Sequence, residues 1–357
     1  MRSRKEKIYA IFMLAAFVAA EVALLITAWR DVARLVGTVV GLVMALILAP
    51  TCHELGHFTF AIANRLKLKY IKCFCIRVMH RGGKYRFSFA SPFAPDETQV
   101  LPMGGDNMKK RALAYAAGGL VFSGLLFLLL AIAAILVGVL KEPSFYLFGL
   151  LPYTGYLFLL NLPPVEYPSG KTDALVYQGI QKAAPAELTM LSAMQIQGRL
   201  SVGERYREIP KALFFDLPQL PEDEPTYAML LFLRYRYFLD IEDMHSAADC
   251  LNRLAASAEY LSATEEEELA VELVYMHSLN QNQTAADECA ALCAQYLQSA
   301  QLSAKRALAA YSFAFGEREK GEILLRQGRA LLEKEDVLGV RAQEAELFDK
   351  LEKSLEK

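Results

Sequence analysis

Residues 51–58 read Thr-Cys-His-Glu-Leu-Gly-His-Phe. On a helix, His53 and His57 stack on one face a single turn apart, so both imidazoles can reach one cation. Glu54 stands beside them, placed to take a proton from a water molecule. This H-E-x-x-H arrangement is the donor set of a metalloprotease, and zinc is the expected metal. Its setting is an apolar run, Leu35 to Ala63, fit to cross a membrane. Ionisable groups inside such a run are expensive, so they read as functional rather than as two core histidines and a stray glutamate.

A catalytic site of this kind needs a third protein ligand and one open position. Arg65 is the next cation after His53, 65 − 53 = 12 residues on, or about 18 Å of straight helix. The third ligand must therefore come from similar depth, near the end of another apolar segment. The stretch LLNLPPVEYPSGKTDA, residues 159–174, ends such a segment, with Pro163 and Pro164 breaking the helix and Asn161, Glu166 and Asp173 close by. Irregular backbone at membrane depth is tolerated where it lines a cavity. Gly170-Lys171-Thr172 is not a phosphate loop, because Val165 stands where that motif needs its first glycine.

On these residues the chain resembles the site-2 protease family of intramembrane zinc metalloproteases. Its members pair H-E-x-x-H on one membrane helix with Asn-x-x-Pro and a downstream Asp-Gly on another. The matching residues are His53, Glu54 and His57, then Asn161 and Pro164, then Asp173. The resemblance implies His53, His57 and Asp173 as zinc ligands, Glu54 as the general base, and Asn161 as the polar group that holds substrate or the developing oxyanion. It covers roughly residues 35–180. Asp173 follows Asn161 at a longer spacing than in the commonest family form, and Ala174 replaces the glycine; Glu166 is the reserve ligand in that turn. The family's small-residue patch corresponds to AAGGLVFSG, with Gly118, Gly119 and Ser123, which predicts close helix packing.

The chain of 357 residues is 54% hydrophobic with mean hydropathy +0.22, and the apolar content lies almost wholly before residue 166. Four runs, Ile8–Trp29, Leu35–Ala63, Ala112–Leu140 and Phe145–Val165, each reach the roughly 20 residues a membrane helix needs. The expected fold is mainly α: a polytopic membrane protein with about four transmembrane helices and a membrane-associated β-hairpin, followed by a soluble α-helical hairpin-repeat domain. The expected boundaries are 1–180 for the membrane domain, 181–225 for a linker and 226–357 for the repeats. The first run is too long for a signal peptide and lacks a small-residue cleavage pattern, so it stays attached. Arg2, Arg4, Lys5 and Lys7, with the many cations between the second and third runs, predict a multi-pass protein of the cytoplasmic membrane, its N-terminus and C-terminal domain cytoplasmic. With a net charge of −2 and basic residues explained by topology, no nucleic-acid partner is expected. The six cysteines lack zinc-finger spacing and read as reduced thiols.

Between the second and third runs, two alternating stretches flank Gly82-Gly83 and predict a β-hairpin within 69–104, closed by a type I′ turn. Tyr85, Phe87 and Phe89 share one face of a half-buried second strand, whose edge could accept an unwound substrate by strand addition. His80 near the turn reads as solvent-exposed rather than as a ligand, and Glu21 in the first run has no assigned role. Helices beginning near Thr226, Thr264, Ser303 and Leu338 give a period of about 35 to 40 residues, resembling tetratricopeptide repeats, whose concave surface would dock a protein partner. His245 and His277 lack ligand neighbours and read as core or surface. The expected function is an intramembrane zinc endopeptidase, embedded in lipid, cleaving a membrane-anchored protein or peptide near the cytoplasmic face. The alternative is a catalytically silent scaffold that binds transmembrane segments and recruits a partner through its repeats. Metal transport ranks last, since the first and third runs offer only Glu21.

Overall fold

The computed structural model describes residues 4–81, 84–102, 107–140, 144–167 and 170–354. They are mainly helical and divide into two compact units, Met1–Glu187 and Leu188–Lys357.

In the first unit, α1 (Arg4–Ala28), α2 (Val32–Ala63) and α3 (Met108–Leu140) are long and apolar enough to cross a membrane. Asp31 starts α2 by accepting hydrogen bonds from the Ala33 and Arg34 amides, which have no partner inside the helix. The fourth apolar run gives α4, a shorter helix of 17 residues, Phe145–Asn161. It stops short of the expected Val165 because Pro163 and Pro164 supply no amide to continue it. The Tyr9 hydroxyl near the start of α1 donates to the Leu159 carbonyl near the end of α4 (2.7 Å), so these helices run antiparallel. Glu21 faces inward on the α1 stripe that includes Met13 and Ala28; it is 6% exposed.

α2 and α3 are antiparallel too. Arg111, early in α3, donates to the Asn64 carbonyl (2.7 Å) and the Arg65 carbonyl, which α2 leaves open at its C-terminal end. The crossing depends on Gly56 and Gly118. A Cβ on Gly56 would lie 2.3 Å from the Gly118 carbonyl oxygen, so no larger residue fits without separating the helices.

The expected hairpin is instead a four-stranded antiparallel sheet, ordered β3-β2-β1-β4: β1 Lys67–Cys73, β2 Ile76–Arg81, β3 Lys84–Phe89 and β4 Glu97–Leu101. The first alternating stretch is two strands, because Phe74 adopts φ +52° and turns the chain back. Asp96 holds that turn, accepting from the Phe74 amide and from Lys72 Nζ, each at 2.8 Å. Lys72 is buried, so this ion pair compensates a charge that could not be left alone. Arg81 pairs with Lys84, the register of a two-residue turn, while the expected type I′ turn at Gly82-Gly83 lies outside the described residues. β3 is not half-buried as expected: Phe87 is 76% and Phe89 90% exposed.

After α4 the chain makes a short hairpin, β5 (Glu166–Tyr167) with β6 (Gly170–Lys171), and enters α5 (Asp173–Lys182). Thr172 fastens this detour. Its hydroxyl donates to the Pro163 carbonyl (2.8 Å), and the same oxygen caps the Leu175 amide of α5. The extra residues between Asn161 and Asp173 are thus looped out, and Asp173 is returned to the end of α4.

The stretch expected to be a linker, 181–225, is largely folded. It contains the last two residues of α5, then α6 (Pro185–Ser201) and α7 (Ala212–Phe215), and Ile196, Leu200, Tyr206, Ile209 and Phe214 form a core with Tyr237. Its sequence misled because DLPQLPEDEPT carries turn residues, yet Leu220 within it is buried. The second unit continues as α8 (Pro225–Asp240), α9 (Met244–Ala256), α10 (Ala263–Leu279), α11 (Gln283–Leu292), α12 (Ala294–Gln298), α13 (Leu302–Ala314), α14 (Arg318–Leu332) and α15 (Leu338–Ser354). At its centre Arg306, fully buried, bonds Glu272 (2.8 Å) and Glu344 (2.9 Å), and Arg236 bonds the same two carboxylates. Burial alone would raise the Glu272 carboxyl, but the two guanidinium groups bring it down to about 2.

Candidate metal centre

α2 presents His53 and His57 one turn apart toward α3 and toward the start of α5. There Asp173 Oδ2 lies 3.1 Å from His53 Nε2 and 3.3 Å from His57 Nε2, and the two Nε2 atoms are 3.3 Å apart. The three atoms thus form a nearly equilateral triangle. Zinc bonds of about 2.0–2.1 Å at tetrahedral angles would set their ligand atoms about 3.3 Å apart, so the triangle has the size of one tetrahedral face. Asp173 Oδ2 is buried, and among the described residues the two imidazole nitrogens are its polar neighbours within hydrogen-bonding distance. Among the described residues this trio is the group that could hold a metal ion. Two imidazoles and one carboxylate are also the hard-to-borderline donors that suit zinc.

The wall of this site is Gly119 on α3. A Cβ there would lie 2.4 Å from His57 Nε2 and 2.7 Å from His53 Nε2, so the missing side chain is what makes room for the two rings. The far side of each ring is also anchored to α3: His53 Nδ1 is 2.9 Å from Ser123 Oγ, and His57 Nδ1 is 2.8 Å from the Tyr115 carbonyl oxygen. The Tyr115 ring packs against His57 at 5.1 Å between centroids, and its hydroxyl donates to the Thr98 carbonyl on β4. Thr98 in turn donates to the Glu54 main-chain carbonyl (3.2 Å). Glu54, half-buried, therefore sits where α2 meets the edge strand β4.

Asn161 is not drawn into the trio in this arrangement; its amide donates to Leu157 O one turn back in α4 (3.1 Å). Glu166, the reserve ligand, is exposed and lies across the β5-β6 hairpin from Lys171, outside the trio. His80 is not solvent-exposed as expected but partly covered, packed on Tyr85, and partial burial together with Lys67 lowers its pKa. His245 is exposed and His277 half-buried, with neither in a metal-ligating group. Neither carboxyl oxygen of Glu21 has a hydrogen-bond partner. Sequence reasoning missed Tyr115 and Thr98, which carry no motif, and read Gly119 and Ser123 only as packing residues; their spacing opposite H-E-x-x-H was the available signal.

No protein-family model, no curated protein and no solved structure matches the chain.

Proposed function

We propose that the first unit is an intramembrane zinc endopeptidase of the site-2 protease kind. The observation that carries this reading is the convergence of His53 Nε2, His57 Nε2 and Asp173 Oδ2 inside a bundle of helices apolar enough to cross a membrane. Bound there, zinc would polarise the scissile carbonyl and make a water more acidic. Glu54 takes a proton from the attacking water as its oxygen bonds the carbonyl carbon, then gives that proton to the departing amine as the C–N bond breaks. Asn161 contributes a donor to the developing oxyanion once its amide leaves Leu157 O.

α4 is proposed as a fourth crossing element, with the N-terminus on the cytoplasmic side by the excess of lysine and arginine there. The substrate is a membrane-anchored protein or peptide, and a helical substrate must be unwound to expose its peptide bond. β4 supports a place for the unwound strand: it is an edge strand and Thr98 ties it to Glu54, whereas β3, the edge expected from sequence, is the opposite edge of the sheet. The helix pairs of the second unit are proposed as a tetratricopeptide-like surface for a protein partner.

The test is hydrolysis of a membrane-anchored reporter peptide by the purified chain in detergent. A strong chelator is expected to stop hydrolysis, and stoichiometric zinc to restore it. Hydrolysis that continues unchanged after the metal has been stripped would exclude this chemistry.

A further inference from the structure

The two imidazoles are held from behind by different kinds of atom, and the difference has a chemical consequence. Tyr115 offers His57 a main-chain carbonyl, which can only accept, so His57 carries a proton on Nδ1, and its neutral ring presents a lone pair at Nε2. Ser123 offers His53 a hydroxyl, which can accept or donate. If Nδ1–H donates to Oγ, His53 Nε2 presents a lone pair to a cation. If the hydroxyl instead donates to Nδ1, Nε2 carries the proton, facing Asp173 Oδ2 at 3.1 Å. The two arrangements differ only in which ring nitrogen bears the proton and which way the hydroxyl turns.

We propose that Ser123 is a positioning residue for His53: its hydroxyl holds the ring in the orientation and tautomer that ligate a metal. This rests on the metal-site reading above. Ser123 is suited to the task. It is 4% exposed, so water does not compete for its hydroxyl, and among the described residues no other hydrogen bond of that hydroxyl accompanies the one to His53. Helical serines commonly bond back to the preceding turn, as Ser278 does to Val274 O in α10, whereas Ser123 reaches across to another helix. Gly119, one turn earlier, leaves the ring free to come that close. Outer partners of metal-bound histidines orient the ring and raise its basicity, and their loss typically weakens metal binding about 10- to 100-fold.

The experiment compares zinc affinity of the full chain in detergent, by competition with a chromophoric chelator, for wild type, Ser123→Ala and Ser123→Thr. Thermal stability of each metal-free protein is measured alongside. Ser123→Ala is expected to bind zinc about 10- to 100-fold more weakly with unchanged metal-free stability, and Ser123→Thr, which keeps the hydroxyl, to bind close to wild type. If wild type binds zinc and Ser123→Ala binds it equally well, the inference is overturned while the metal site stands. Equal weakening in Ser123→Thr with lowered stability also overturns it, since packing rather than the hydroxyl would then be responsible. A wild type that takes up no zinc overturns the metal reading and this inference with it.

Discussion

Replacing Glu54 with glutamine leaves the metal bound and lowers peptide hydrolysis by about 100- to 10,000-fold, the range for loss of a general base. The amide has the size of the carboxylate but cannot take a proton from water. Thr98 also ties this position to the sheet through the main-chain carbonyl of Glu54, a bond that the substitution does not remove. His53, His57 and Asp173 are likewise unaltered, so ligand geometry should persist. Single-turnover cleavage of the reporter peptide, measured with zinc content on the same preparation, separates the two effects. A Glu54→Gln rate within about twofold of wild type would remove Glu54 from the proton-transfer role.

Gly119→Ala is expected to eliminate metal binding without changing any ligand. The added methyl would sit 2.4 Å from His57 Nε2, 2.6 Å from His53 Cε1 and 2.7 Å from His53 Nε2, distances at which one or both rings must move. Because both Nε2 atoms are displaced together, the loss should exceed the roughly 10- to 100-fold seen when one outer partner is removed. Helix propensity acts the other way, since alanine is favoured over glycine by about 1 kcal/mol in a helix interior. The variant should therefore fold and lack metal. Gly138→Ala is the control in the same helix, because a Cβ there meets nothing within 4 Å. Zinc affinity measured on both variants decides the point, and wild-type affinity in Gly119→Ala would show that the glycine is not the wall of the site.

The parts of the site legible in the sequence were those set by local periodicity. H-E-x-x-H fixes two imidazoles on one helical face whatever the rest of the chain does, and α2 carries them so. The starts of α8, α10, α13 and α15 fall within a residue of the expected Thr226, Thr264, Ser303 and Leu338, because capping and turn signals at helix starts are local too. What depends on distant partners was not legible. The break of one predicted strand into β1 and β2 hangs on Phe74 taking a positive φ, held by Asp96 from beyond β3. The linker expected at 181–225 is largely helix because its apolar residues find Tyr237 in α8. Asp173 was preferred to Glu166 by resemblance alone, and the β5-β6 hairpin with the Thr172 bond to Pro163 O, which bring it beside the histidines, left no local trace. The buried Arg236, Arg306, Glu272 and Glu344 cluster joins four helices far apart in sequence and leaves no periodic trace.

His53, His57 and Asp173 are proposed to hold one metal ion, and the metal content of the detergent-purified chain decides it. Wild type, His53→Ala, Asp173→Ala and Glu166→Ala would be analysed together for zinc. About one zinc per chain is expected in wild type and Glu166→Ala, with at least tenfold weaker retention in His53→Ala and Asp173→Ala. No zinc in the wild type, or loss with Glu166→Ala and retention with Asp173→Ala, would contradict it.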